Sequence, residues 1–251
     1  VKSNPTLELV PTADGSNTIY NSEVGENYHS RNGALQESRH VFVNSGLCYF
    51  LEGNSIQPRS SLTTSEVKVP PFGGDLGGTV AVSILEVGFG TGLNFLLSAD
   101  LCAEKKISLE YTGIEAYPLT KELITQTGYD QYVSADTWQS FIANYEKLLA
   151  SPVKLHPHCQ LQIANCKLLD FQFEKQYNII YYDAFAAARQ PEMWNDEAIA
   201  HTIQFLKPGG VFVTYAITGN LKRALKALGC TIEKVPGAAG KREMLRALKL
   251  H

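Results

Sequence analysis

Glu86, the glycines at 88, 90 and 92, Glu115 and Asp183 are the residues of this chain that could do chemistry together. The glycines fall as Gly-x-Gly-x-Gly directly after the apolar run 84–87, and a helical pattern follows at once. That is the sequence form of strand, tight turn and helix. Glycine lets backbone N–H groups approach a ligand where a Cβ would clash. A dinucleotide fingerprint wants Gly or Ala where this chain has Leu93, which disfavours a nicotinamide dehydrogenase. Glu115 stands beyond a second apolar run, where a carboxylate can accept both hydroxyls of a ribose. Asp183 ends another run and is followed by Ala184 and Phe185. A carboxylate there suits an amine, because it accepts N–H bonds and takes a proton as the lone pair is freed. A purely structural Asp183, bonding the next loop, is the alternative.

The elements that must position these residues alternate from residue 81 on. Strands are expected at 82–87, 109–114, 161–163, 177–182 and 211–215, with helices at 93–102, 119–127, 134–149, 197–206 and 221–228. Lys207-Pro208-Gly209-Gly210 reads as the stop after the fourth of these helices. Segments 230–235 and 244–250 face each other across a Pro/Gly-rich turn and read as a closing hairpin. Strands alternating with helices predict a mostly parallel, doubly wound α/β sheet with a C-terminal antiparallel hairpin. Residues 1–80 read as an N-terminal extension. It has a hairpin about Asp14-Gly15, a helix over 33–43 stopped by Gly46, and a mobile Ser/Thr/Pro/Gly-rich connection over 52–80. Residues 81–251 then form the catalytic domain.

At 251 residues, 44% hydrophobic and 19% charged, the chain has the composition of an ordinary globular protein. No apolar run approaches the roughly 18 residues of a membrane span, and the polar start is no signal peptide. Five scattered cysteines without a Cys-x-x-Cys pair argue against zinc and a disulfide framework, and point to a cytoplasmic location. His156-Pro157-His158 lacks metal spacing, so no metal is expected. The net charge of −3 conceals an asymmetry. Residues 219–251 hold eight Lys/Arg against Glu233 and Glu243, on an otherwise acidic chain. Such a tail is either an anion-binding face or a solvated basic surface.

The glycine loop resembles the first loop of class I S-adenosyl-L-methionine methyltransferases, a Rossmann-like fold. That likeness implies cofactor contacts from Glu86, Gly88, Phe89, Gly90, Thr91, Gly92 and Asn94, and ribose contacts from Glu115. It puts Asn165 at the adenine, where an amide both accepts and donates, and Asp183 with Phe185 beside the sulfonium. Trp194 stacks on a base or covers the site, or else belongs to the core.

Longer strings narrow the resemblance. They are Gly88-Phe-Gly-Thr-Gly-Leu-Asn-Phe95, Ile114-Glu-Ala-Tyr-Pro-Leu119, Tyr182-Asp-Ala-Phe185 with Gln190-Pro-Glu-Met-Trp194, and Gly240-Lys-Arg-Glu-Met244. Upstream, Asn27-Tyr-His-Ser30 and Gln36-Glu-Ser-Arg-His-Val-Phe42 join them. Together they resemble the tRNA 5-methylaminomethyl-2-thiouridine-forming methyltransferases, the MnmC/MnmD group. The resemblance implies transfer of a methyl group from S-adenosyl-L-methionine to the aminomethyl group of a modified wobble uridine in tRNA, with S-adenosylhomocysteine as product. Catalysis falls to Asp183 and Phe185, and tRNA contact to Tyr28, His29, Arg31, Trp194, Lys241 and Arg242. Some members are fused to an FAD-dependent oxidoreductase that makes the amine. Only the methyl transfer is expected here, without FAD or a membrane, and with a separate enzyme supplying the amine. The family usually has Gly-Asp where this chain has Ala164-Asn165. A small-molecule amine methyltransferase or an aminopropyltransferase would keep the sheet and Glu115 without needing the basic tail. A non-catalytic RNA-binding protein would keep the tail but not the glycine loop with both acids.

Overall fold

Asp14-Gly15 turns the chain between strands β1 (Leu7–Pro11) and β2 (Asn17–Asn21), with Gly15 at φ 84°. A two-residue strand β3 (Glu26–Asn27) pairs antiparallel with β2. The computed structural model describes residues 6–55, 81–238 and 240–251. Helix α1 (Ala34–Glu37) runs through a π-helical stretch (Ser38–Cys48) into α2 (Tyr49–Ser55). Gly46 therefore does not stop a helix, as the sequence predicts. It lies inside one, and a Cβ on it would meet the Tyr181 ring at 2.9 Å and Val213 at 3.0 Å. The glycine is needed for close approach of this helix to the sheet. Residues 52–55 continue the helix, and the rest of the connection expected over 52–80 lies outside the described residues.

The central sheet follows. Its elements are β4 (Ala81–Val87), α3 (Leu93–Glu104), β5 (Ser108–Ile114), α4 (Lys121–Gln126), α5 (Ala135–Leu148), β6 (Val153–His156), β7 (Cys159–Ala164) and β8 (Tyr177–Tyr182). They continue with α6 (Asp196–Ile203), β9 (Leu206–Thr214), α7 (Gly219–Ala227), β10 (Cys230–Pro236) and β11 (Glu243–Lys249). Side-chain oxygens of Thr120, Ser134, Asn195 and Thr218 cap the starts of α4, α5, α6 and α7.

Strand order is β10-β11-β9-β8-β4-β5-β7-β6. Strands β7, β5, β4, β8 and β9 are parallel, and β11 enters antiparallel between β9 and β10. The parallel sheet and closing hairpin match the sequence reading. Two details differ. Strand β6 was not foreseen; it extends the edge antiparallel to β7. Helix α6 ends at Ile203, and Lys207-Pro-Gly-Gly lies within β9, where the pairing with β8 is irregular.

Alternation along β4 sorts its side chains. Val82 and Ile84 join one apolar cluster, Leu85 and Val87 the other. Glu86 thereby falls on the face of Val82 and Ile84, fully buried. The extension expected over 1–80 shares this core: Ile19, Val41, Phe42 and Leu47 sit in one cluster with Ile84, Phe95 and Tyr111. Chain order reverses at β4, and sheets of this kind bind ligands beyond the carboxyl ends of the strands at such a point.

The Phe89 ring packs over Gly113 so closely that a Cβ there would overlap its Cδ2. Gly113→Ala should therefore cost about 1–3 kcal/mol, the usual range for overpacking, by displacing Phe89 and the loop that carries it. Chemical denaturation checks this; an unchanged midpoint would contradict the packing.

Candidate active site

The glycine loop is fastened from below. Backbone N–H groups of Gly88 and Phe89 both donate to the Ile114 carbonyl, at 3.0 and 3.1 Å. Gly88, Gly90 and Gly92 all have positive φ (86°, 51° and 78°), which favours glycine. Gly88 is also a contact requirement, because a Cβ would lie 2.5 Å from the Asp183 carbonyl oxygen. Asp183 in turn donates its N–H to the Val87 carbonyl at 2.8 Å. The ends of β4 and β8 are thus locked together.

Glu115 leaves β5 half-buried beside this loop. Its Oε2 accepts the Gly90 N–H at 2.9 Å and its Oε1 the Tyr117 N–H at 3.0 Å. Burial pushes its pKa up, and the backbone N–H bonds of Gly90, Tyr117 and Ala116 oppose that. Asn165 is exposed just beyond β7. Three neighbouring strands therefore end in a glycine turn, a carboxylate and an amide, polar groups that can hydrogen-bond a ligand at the carboxyl ends of the sheet.

Beside β8 the polar groups are buried and linked. Asn94, at the start of α3, donates from Nδ2 to Glu86 Oε1 at 2.7 Å and to Asp183 Oδ2 at 2.8 Å. Its Oδ1 accepts from the Ser38 hydroxyl. The Tyr111 hydroxyl donates to Glu86 Oε2 at 2.8 Å. Burial and the nearby Asp183 charge raise the Glu86 pKa well above the carboxylate range. Burial, then the Glu37 carboxylate, push Asp183 up to about 8, against the Asn94 bond and the Lys241 ammonium.

The Asp183–Trp194 loop is held at each step. The Tyr215 hydroxyl donates to the Ala184 carbonyl at 2.9 Å. The Trp194 indole N–H donates to the Phe185 carbonyl at 2.8 Å, and the Ala186 N–H donates to Glu26 Oε2 at 3.0 Å. Tyr28 covers the loop from the N-terminal side, its ring against Gly90 and edge-on to Phe185 at 5.0 Å between centroids. Burial and the Glu115 charge raise the Tyr28 hydroxyl pKa.

Several side chains lie elsewhere than the sequence reading put them. Phe89 is 3% exposed and points into the core against Phe95 and Phe141, so only its backbone belongs to the loop. Trp194 takes the core alternative of that reading, edge-on to Tyr182, rather than the base-stacking one. Glu86 and Thr91 are fully buried; both Glu86 oxygens are taken, and Thr91 Oγ1 lies 2.9 Å from His29 Nε2. His29 is buried, and burial lowers its pKa to about 4, which keeps it neutral. It braces the loop and offers no surface to RNA. Lys241 turns to Glu37, its Nζ 2.6 Å from Oε1. Arg31 and Arg242 are exposed. Glu37, Ser38, Tyr111 and Tyr215 are site residues that the sequence reading did not name. Glu37 and Ser38 lay within a string that the resemblance had matched. All five cysteines are free thiols, and among the described residues no helix is long and apolar enough to cross a membrane.

The raised pKa of Asp183 has a stability consequence. The unfolded carboxyl ionises near pH 4, whereas the folded one holds its proton to about pH 8. Between those values the native state binds more protons, so stability falls as pH rises through that window. Asp183→Asn removes this loss. Its melting temperature should exceed that of the wild type by an amount that grows from pH 5 to pH 8 and then levels off. A gap that is constant or shrinks with pH would contradict the burial of this acid.

Comparison with known proteins accords with this geometry. Residues 132–250 match a family model described as S-adenosyl-L-methionine-dependent methyltransferase. The tRNA 5-methylaminomethyl-2-thiouridine biosynthesis bifunctional protein MnmC of Ectopseudomonas mendocina is 31% identical over 236 residues, covering 88% of this chain and 32% of that protein. The protein of the same name from Chromohalobacter salexigens is 31% identical over 244 residues, covering 92% of this chain and 31% of its own length. The chain thus spans about a third of the length of these relatives. The crystal structure of MnmC2 from Aquifex aeolicus superposes with a TM-score of 0.69 at 19% identity, over 98% of this chain and 71% of that one. The chain thus has the class I S-adenosyl-L-methionine-dependent methyltransferase fold, and in sequence it is similar to part of the MnmC proteins.

Proposed function

We propose that this chain methylates the aminomethyl nitrogen of a modified wobble uridine in tRNA, giving the 5-methylaminomethyl form. The observation that carries the reading is Asp183, a half-buried carboxyl with its pKa raised to about 8, held at the carboxyl end of β8 beside the glycine loop. The names of the MnmC relatives supply the substrate class.

S-adenosyl-L-methionine, when bound, supplies a methyl group on a positively charged sulfur. Gly88, Gly90 and Gly92 would hold it by their backbone, Glu115 by its ribose hydroxyls, and Asn165 by its base. Asp183 has the chemical task. An aliphatic amine of pKa near 10 arrives protonated and must lose that proton before it can attack. Transfer to an ordinary carboxylate of pKa near 4 is uphill by about 8 kcal/mol, and to one of pKa near 8 by about 3 kcal/mol. The buried setting of Asp183 therefore makes its ionised form, populated as pH approaches 8, a better-matched acceptor than an ordinary carboxylate by up to about 5 kcal/mol. Asn94 keeps the acid aimed while the proton moves. Phe185 and Tyr28, edge to face beside the loop, would exclude water from the reacting nitrogen. Exposed Arg31 and Arg242 are free to meet phosphates, whose contacts position an RNA without reading its sequence.

Asp183→Asn keeps the shape and loses the basicity. Turnover on tRNA carrying aminomethyl-uridine should fall by about 10²–10⁴, the range for a general base, with tRNA affinity little changed. Raising the pH toward 9.5 should recover part of the loss, since more amine then arrives neutral. Single-turnover transfer from radiolabelled S-adenosyl-L-methionine measures this. A wild-type rate at every pH would remove Asp183 from the mechanism.

A further inference from the structure

Lys241 and Glu37 form an ion pair inside the site. Lys241 Nζ lies 2.6 Å from Glu37 Oε1 and 3.7 Å from the centroid of the Tyr215 ring. Glu37 is 5% exposed, and its Oε2 accepts the Ser30 N–H at 2.9 Å, so the carboxylate is fixed from both sides. The next residue, Ser38, bonds to Asn94, and Asn94 bonds to Asp183. Tyr215, the platform under the ammonium, bonds to the carbonyl of Ala184. Glu37 and Lys241 therefore reach Asp183 from two sides, one through the helix that begins the N-terminal core and one through the turn before β11.

Charged and titratable groups face Asp183 from every element around it. Glu86 comes from β4, Tyr111 from β5 and Tyr215 from the end of β9. Glu37 comes from α1 and Lys241 from the turn before β11, while His29 faces the latter two and stays neutral. Burial and the Asp183 charge push Glu86 up, and burial pushes the two tyrosine hydroxyls up, so each disfavours its ionised form. Glu37 and Lys241 are the charged groups that act on Asp183 itself, with opposite effects.

We propose that the Glu37–Lys241 pair is a positioning device that governs the charge on Asp183 during methyl transfer. It rests on the reading of Asp183 as the proton acceptor. A carboxylate nearby disfavours ionisation of Asp183, and an ammonium favours it. The two work against each other. Together they leave the acid able to hold a proton and able to release it near the working pH. Lys241 is thereby moved from the RNA surface to the chemistry.

The test is a ¹³C-carboxyl NMR titration of Asp183 in the purified chain, with no ligand added. Asp183→Asn assigns the resonance by removing it. Lys241→Met should move the Asp183 midpoint up by about one pH unit, and Glu37→Gln should move it down by about one. Lys241→Arg, which keeps the charge, should stay near the wild type, and the double variant Glu37→Gln/Lys241→Met should return toward it. A merely structural pair would shift neither midpoint, or both in the same direction, and either result overturns the proposal. The pH profile of single-turnover methyl transfer should follow the same opposite shifts. Opposed NMR shifts without methyl transfer to tRNA would leave the pair standing and sink the proposed function. Methyl transfer with unmoved midpoints would do the reverse.

Discussion

One amide holds two carboxylates side by side at the centre of this sheet. Asn94 Nδ2 donates to Glu86 and to Asp183 within hydrogen-bond distance of each, and its oxygen is taken by Ser38. Two acids that share one donor in a buried setting cannot both ionise cheaply. Glu86, fully buried, is pushed well above the carboxylate range, while half-buried Asp183 is pushed up to about 8. The strand alternation that turns Glu86 and Asp183 to the same face of the sheet is what makes the arrangement possible. A side chain at 94 that could not donate would leave Glu86 with Tyr111 alone and take from Asp183 its Asn94 bond.

The N-terminal segment is part of the site. Ser38 completes the Asn94 contacts, Glu26 holds the Ala186 N–H, His29 braces Thr91, and Tyr28 lies over Gly90. Its helix runs close to Tyr181 and Val213 because Gly46 carries no side chain. A sheet of this kind can fold without such a segment, but Asp183 would then have an open flank and no Glu37. Core packing between residues 34–51 and the sheet therefore also sets the surroundings of Asp183.

Much of this was legible in the chain. Alternation of apolar strands and helices gave the parallel sheet, and strand ends located Glu115, Asn165 and Asp183, because ligand crevices in such sheets lie at carboxyl ends. What was not legible depends on side-chain direction. Phe89 and Trp194 look like ligand residues by position, yet the packing of Phe95, Phe141 and Tyr182 draws them inward. Lys241 counted as one more charge in a basic tail, and only the fold shows it paired with a carboxylate 204 positions earlier in the chain. Gly46 reads as a helix stop by propensity, and tertiary contact overrides that. Strand β6, Val-Lys-Leu-His, is too short to announce itself by periodicity.

The central claim is that Asp183 serves methylation of an exocyclic amine on a tRNA nucleoside. Mass spectrometry of wobble nucleosides from cells lacking this protein tests it most directly. The account predicts that aminomethyl-uridine accumulates and its methylated form disappears, with restoration by the wild-type chain but not by Asp183→Asn. A nucleoside profile unchanged by loss of the protein would contradict it.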